Sequence, residues 1–141
     1  MAHSYYELHY HLVWGTKGRE AMVLPDLRYR LYACIRENCE AKACTVHEIG
    51  GVEDHVHVAL SIPATASVAE VVHDAKGSSS HLVNAEGIGR GLYWQPGYGA
   101  MSIRKKDVPA VRRYIQEQKQ RHDESRLWAD LERLGEDGVP A

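Results

Sequence analysis

Two histidines separated by one residue are the first feature of this sequence that could do chemistry. His55 and His57 alternate with apolar residues in a stretch typical of a β-strand, so both imidazoles should project from one face. Two imidazoles on a rigid strand face can bind a metal ion, and the adjacent Asp54 could accept a hydrogen bond from a ligating ring. The spacing alone is a weak signal, because His9 and His11 repeat it in another predicted strand.

A tyrosine and a glutamine four residues apart form the second candidate group. Tyr114 and Gln118 are neighbours on the surface of a predicted helix, where they flank an apolar stripe that contains Val111 and Ile115. The spacing alone favours a tyrosine at the edge of the core with a solvated hydroxyl. The functional alternative is a nucleophile beside an amide oxygen that completes a metal site.

The two groups are chemically complementary. A divalent ion bound by two histidines and one glutamine keeps open positions for phosphate oxygens, and it can neutralise charge while a phenol attacks the phosphorus. The resulting phosphotyrosine stores the energy of the broken phosphodiester bond for later rejoining of the strands. Basic residues near the tyrosine could bind flanking phosphates, namely Arg104, Lys105, Lys106, Arg112 and Arg113.

The charge distribution agrees with a polyanion site, although the formal net charge of the 141 residues is −2. Residues 75–122 contain nine Lys or Arg against three Asp or Glu, a balance of +6. Residues 123–141 contain two Arg against six acids, a balance of −4. This pattern predicts a basic second half and an acidic tail, and an ordinary solvated surface is an equally good explanation of the charges alone.

Hydrophobic periodicity predicts four strands and three helices. The strands are predicted at about 5–14, 44–49, 52–62 and 98–104, and the helices at about 25–41, 67–84 and from 107 onwards. Gly50-Gly51 is expected to form a two-residue hairpin turn, Ser67 and Glu70 a capping box, and Asp107 the cap of the third helix. The order predicts an α+β, ferredoxin-like (RRM-like) antiparallel sheet with helices packed on one face, plus a C-terminal helix that carries Tyr114.

Five ordered blocks of sequence resemble the single-tyrosine HUH transposases of the insertion-sequence-two-hundred-like family, whose elements have hairpin ends. The blocks span about residues 5–122 and are Tyr10-His-Leu-Val-Trp-Gly-Thr-Lys17-Gly-Arg19, Asp54-His-Val-His-Val58, Lys76-Gly-Ser-Ser79, Tyr93-Trp-Gln-Pro-Gly-Tyr98 and Val111-Arg-Arg-Tyr114-Ile-Gln-Glu-Gln118. Glu53 and Gly18 stand where the family often has a proline and an aromatic residue, and neither position has a proposed catalytic role.

The resemblance implies a role for each matching residue. His55 and His57 would bind Mg²⁺ or Mn²⁺ with Gln118 as the third protein ligand, and Tyr114 would form a 5′-phosphotyrosine. The family works as a homodimer on single-stranded DNA with hairpin ends, and its tyrosine helix can serve the partner's histidines. We predict DNA contacts from seven basic residues: Lys17, Arg19, Lys76, Arg104, Lys105, Arg112 and Arg113.

Two other functions remain possible at this point. A non-cutting regulator that binds hairpin DNA could use the same scaffold, and an RNA-binding ferredoxin-like domain would stack bases on aromatic residues of the sheet. We expect a domain at residues 1–122 followed by an acidic helical tail at 123–141. No apolar run has membrane-spanning length and no signal peptide opens the chain, so we expect a cytoplasmic protein without a membrane partner.

Overall fold

Four strands form one antiparallel sheet in the computed structural model, which describes residues 4–124 and 127–134. The strands are β1 (His9–Gly15), β2 (Thr45–Val52), β3 (His55–Ser61) and β4 (Gly99–Ile103), and their order in the sheet is β2-β3-β1-β4. The helices are α1 (Pro25–Ala41), α2 (Val68–Ala85), α3 (Val108–Gln116) and α4 (Gln118–Asp123). The order β1-α1-β2-β3-α2-β4 confirms the predicted ferredoxin-like fold.

The main core lies between one face of the sheet and the helices α1 and α2. Leu12 and Trp14 of β1 and the even-numbered apolar residues of β3 point into it, where they meet the buried side chains of both helices. Pro25 begins α1, and the Ser67 side chain caps α2 by accepting a hydrogen bond from Glu70 N at 3.1 Å, as predicted. The regular alternation of β3 therefore leaves its odd-numbered residues for the opposite face.

The opposite face of the sheet is covered by α3 and by the segment 127–134. Val111, Tyr114 and Ile115 of α3 pack with Ala59 of β3 and with Leu131, and all five side chains are buried. Because this second layer covers β2 and β3, and because Trp14 is buried in the main core, the sheet presents no open aromatic face among the described residues. The structure thus disfavours the RNA-binding alternative.

The prediction of a turn at Gly50-Gly51 is wrong. Both glycines lie inside β2, and the two-residue turn to β3 is formed by Glu53 and Asp54. The reason is packing: a Cβ on Gly50 would lie 2.7 Å from Ile115 Cγ2 and 2.8 Å from its carbonyl oxygen. Glycine is needed here for the close approach of α3 to the sheet rather than for a turn.

Other expectations need smaller corrections. The first strand begins at His9 rather than at residue 5. Asp107 does not cap α3 through its side chain, because its carboxylate accepts a hydrogen bond from Arg104 Nε at 2.9 Å. The predicted third helix is interrupted at Glu117, so Gln118 begins α4.

The tail lies partly outside the described residues, and its described part is not an amphipathic helix. Residues 127–134 contain one 3₁₀ turn, Ala129–Glu132, and they contact β1 and β4. The boundary at residue 122 stays a prediction. No helix in the described ranges is long and apolar enough to cross a membrane.

We predict that Gly50→Ala lowers the free energy of unfolding by about 1–3 kcal/mol, because the new methyl group would force α3 away from the sheet. Gly77→Ala is the matched control: its Cβ would meet nothing within 4 Å in α2, and alanine should stabilise the helix by about 1 kcal/mol. Urea unfolding followed by circular dichroism measures both. Equal stability of Gly50→Ala and the wild type would contradict the account of β2.

Candidate active site

His55 and His57 project from β3 into the layer between the sheet and α3. Both side chains are fully buried, and their ring centroids are 4.9 Å apart. The pair therefore has the common orientation that the sequence predicted. It lies on the face away from the main core, because the intervening Val56 fills that core.

Each histidine is held by a neighbour through its Nδ1 atom. His55 Nδ1 donates to Asp54 Oδ1 at 2.6 Å, and Arg19 Nη2 lies 3.2 Å from the other oxygen of that carboxylate. His57 Nδ1 lies 2.8 Å from His11 Nε2, a hydrogen bond in which one of the two nitrogens carries the proton. Partners of this kind fix the ring orientation and direct Nε2 towards the site.

Gln118 and Tyr114 reach the same space from α3 and α4. Each is only 1% exposed. Gln118 Oε1 lies 3.3 Å from His55 Nε2 and 3.2 Å from His122 Nε2. The Tyr114 ring packs edge-on against His57 with its centroid 5.9 Å away. The expectation of a tyrosine at the edge of the core with a solvated hydroxyl is therefore wrong, because the tail segment covers it.

The centre of this cluster holds the carboxylate of Glu132, which the sequence analysis did not single out. Oε1 lies 3.1 Å from His55 Nε2 and 3.5 Å from His122 Nε2, and Oε2 lies 3.4 Å from His57 Nε2. Tyr114 donates its hydroxyl hydrogen to Oε2, which also accepts from Gln118 Nε2 at 3.3 Å. One anionic group thus contacts all four residues that the sequence selected.

The acid and its partners shift one another's protonation. Burial alone would raise the pKa of Glu132, but the hydrogen bond with His55 and the adjacent imidazole of His57 outweigh burial and hold that pKa far below its usual range. Burial lowers the pKa of His57, whereas hydrogen bonds to Asp54 and Glu132 overcome the burial of His55 and raise its pKa to about 9. Burial and the hydrogen bond to Glu132 raise the pKa of Tyr114 to about 12.

The donor set fits a divalent cation. His57 Nε2 is a buried nitrogen without hydrogen-bond geometry to any described group, and Gln118 Oε1 faces two imidazole nitrogens. The ligand atoms of His55, His122 and Glu132 lie within 4.8 Å of one another and form a second candidate set that shares His55. Imidazole nitrogens together with amide and carboxylate oxygens are common ligands of divalent metal ions in proteins.

The seven basic residues predicted to contact DNA are dispersed. Arg19 is beside the site, and Lys17 is exposed in the same 3₁₀ turn, Lys17–Arg19. Arg104, Lys105, Arg112 and Arg113 lie exposed on or just before α3. Lys76 is different: it is on α2, across the sheet, where its Nζ donates to the carbonyls of Gln95 and Gly97 at 2.8 and 3.0 Å.

Similarity to known proteins agrees with a DNA-cutting enzyme. Residues 4–118 match the family described as "Transposase IS200 like". The chain therefore belongs to the IS200-like transposase family. It is 25% identical over 119 residues to the ISDra2 transposase TnpA of Deinococcus radiodurans, and this match covers 80% of this chain and 85% of that protein. It is also 30% identical over 83 residues to the IS200 transposase of Salmonella typhimurium, and that match covers 59% of this chain and 55% of that protein.

Two solved structures share the fold. One is a transposase from Deinococcus radiodurans, with a TM-score of 0.64 and 23% identity over 84% of this chain and 96% of that one. The other is a REP-associated tyrosine transposase bound to a REP hairpin, with a TM-score of 0.64 and 16% identity over 86% of this chain and 74% of that one.

Three site residues were not among the sequence candidates. His11 was set aside because its spacing repeats that of the metal pair, yet its ring bonds to His57, the diagonal neighbour across β1 and β3, since His11 itself pairs with Ala59. His122 follows Gln118 at i+4, a signal that could have been recognised. Nothing local marks Glu132, because only the fold of the tail brings it to the histidines.

We predict that His57→Ala weakens Mn²⁺ binding by at least about 10–100-fold. A loss of this size is typical when a residue that only hydrogen-bonds to a metal ligand is changed, and His57 is itself a proposed ligand. Isothermal titration calorimetry with MnCl₂ measures the affinity. His47→Ala is the control, since His47 lies in β2 and bonds to Ser61 Oγ rather than to the site. An equal loss in both variants would show that His57 is not a ligand.

Proposed function

We propose that this transposase cleaves and rejoins single-stranded DNA at hairpin-marked element ends through a 5′-phosphotyrosine on Tyr114. The observation that carries the proposal is the convergence on the Glu132 carboxylate: the Tyr114 hydroxyl and the Nε2 atoms of His55 and His57 all contact one small anion. A phosphodiester in that volume would meet the nucleophile and the candidate ligands together.

The proposed cleavage step exchanges one phosphoester bond for another. The Tyr114 hydroxyl gives its proton to solvent water and its oxygen forms a bond to phosphorus, while the bond from phosphorus to the 3′ oxygen of the preceding nucleotide breaks. The 3′ oxygen leaves with the electron pair and takes up a proton, which gives a free 3′-OH and a 5′-phosphotyrosine. Attack by a 3′-OH on the phosphotyrosine reverses the exchange and rejoins the strands.

The protein side chains hold the reactants for this step. His55, His57 and Gln118 would hold Mg²⁺ or Mn²⁺, which when bound supplies positive charge at the scissile phosphate. Asp54 and His11 fix the two ring orientations, so little reorganisation is needed during the reaction. Arg121 lies over the Tyr114 ring with its guanidinium carbon 4.9 Å from the centroid, where its positive charge favours a developing phenolate.

The proposed DNA partner is a single strand with a hairpin. One structural neighbour was solved with a REP hairpin bound, which supports this class of ligand for the shared fold. Arg19 and the exposed basic residues around α3, including Arg112 and Arg113, would contact phosphates near the cut. We also propose a homodimer, as the family resemblance implies. The Tyr114 ring packs against His57 of the same chain, with the ring centroids 5.9 Å apart.

One observation favours a second candidate function, a hairpin-DNA-binding regulator that does not cut. Tyr114 is only 1% exposed and its hydroxyl is occupied by Glu132, so no phosphate can reach it in this arrangement. A regulator would bind hairpin DNA tightly and form no covalent adduct in Mn²⁺. The transposase forms the adduct under the same conditions.

We predict that Tyr114→Phe abolishes the covalent protein–DNA product, because phenylalanine lacks the attacking oxygen. The measurement is a denaturing gel of the protein incubated with MnCl₂ and labelled single strands from the flanks of its gene. Tyr29→Phe is the matched control, since Tyr29 is 85% exposed on α1. Cleavage by Tyr114→Phe at the wild-type rate would rule out the proposed nucleophile.

A further inference from the structure

The segment 127–134 covers the face of the sheet that carries the histidines. Its Leu131 and Leu134 side chains are buried, at 2% and 7% exposed, against the face of the sheet that carries the histidines. Trp128 N donates a hydrogen bond to the Tyr114 hydroxyl at 3.0 Å, and the indole packs edge-on against that ring. The segment therefore covers the nucleophile with both backbone and side-chain groups.

The floor of the groove beneath this segment is formed by glycines of β1 and β4. A Cβ on Gly99 would lie 1.7 Å from the carbonyl oxygen of Arg133, and a Cβ on Gly15 would lie 2.9 Å from Leu134 Cδ1. Because these two residues lack side chains, the main chain of 127–134 lies directly against the sheet on the face that carries the histidines. A sugar–phosphate backbone needs a similarly close approach to that face.

The chemistry of the segment resembles that of the substrate. Glu132 is a monoanion with two oxygens that contact the imidazoles and the phenol, as the two non-bridging oxygens of a phosphodiester would. Residues 123–141 have a charge balance of −4 and follow a stretch, 75–122, with a balance of +6. The tail is thus an acidic segment attached to a basic domain, with a carboxylate at the reaction centre.

We infer that the groove floored by Gly15 and Gly99 is the path of the DNA strand at the cleavage site, and that residues 127–134 occupy it as a competing, substrate-like segment with Glu132 in place of the scissile phosphate. This inference rests on the proposed function. DNA and tail exclude each other from the groove, so the tail must leave before Tyr114 can be reached. The apparent affinity for DNA equals the affinity of the open groove multiplied by the fraction of molecules in which the groove is open.

Two full-length variants test the inference in different ways. Glu132→Ala removes the carboxylate from the reaction centre, and Leu131→Ala removes a buried side chain that anchors the segment, without a change of charge. Binding of a fluorescein-labelled single strand of about 16 nucleotides is followed by anisotropy with MnCl₂ present. We expect both variants to bind at least about tenfold more tightly than the wild type, as a mostly closed groove requires, and to form the covalent adduct faster.

Matched controls separate a specific effect from general ones. Asp130→Ala makes the same change of charge in the same 3₁₀ turn at an exposed position, and Leu127→Ala makes the same substitution as Leu131→Ala at a 45% exposed position of the same segment. Both controls should bind DNA no more than about twofold differently from the wild type, as expected for exposed changes. Circular dichroism checks that each variant is folded.

Two outcomes would overturn the inference. Affinity gains in Glu132→Ala no larger than those in Asp130→Ala would show that the tail does not compete with DNA. Loss of both Mn²⁺ affinity and adduct in Glu132→Ala would identify the carboxylate as a metal ligand instead. The binding measurement does not depend on cutting, so a failed Tyr114 mechanism and a failed tail mechanism give different results.

Discussion

The alternation of β3 between two faces is the constraint on which the site depends. Its even-numbered residues must fill the core beneath α1 and α2, so His55 and His57 are forced into the opposite layer, where an unpaired imidazole would be costly. Burial of two such rings is tolerated because Asp54 and His11 each satisfy one nitrogen. The remaining nitrogens then face Gln118 and Glu132, with the Tyr114 ring beside them, and the pair becomes a site only through these partners.

Glycines on the same face make the second layer possible. Gly50 pairs with His57 in the sheet, Gly15 pairs with His55, and Gly99 pairs with Val13 next to them. Without side chains at these positions, α3 and the tail approach the sheet closely enough to enclose the histidines. This close packing stabilises the state in which 127–134 covers the histidines and Tyr114. Residues that favour docking of the tail therefore oppose access of a substrate. Sites of this kind commonly exchange stability for function.

Most of the fold could be predicted from the sequence, because its signals are local. The bounds of α1 followed from Pro25 and an apolar period, and the start of α2 followed from its capping box. The glycine pair misled the prediction because local turn preference carries no information about Ile115, which is distant in sequence and touches Gly50. Four site residues came from spacing and resemblance. Glu132 could not, since its place depends on long-range docking of the tail.

The central claim is that ligands from β3 and α4 of a single chain converge on one cation beside Tyr114. A crystal soaked in MnCl₂ and measured at the manganese absorption edge tests this directly, because the anomalous signal locates the ion without reference to activity. The account predicts one strong peak within ligand distance of His55 Nε2, His57 Nε2 and Gln118 Oε1 of the same chain. A peak elsewhere, or no peak at these three atoms, would contradict it.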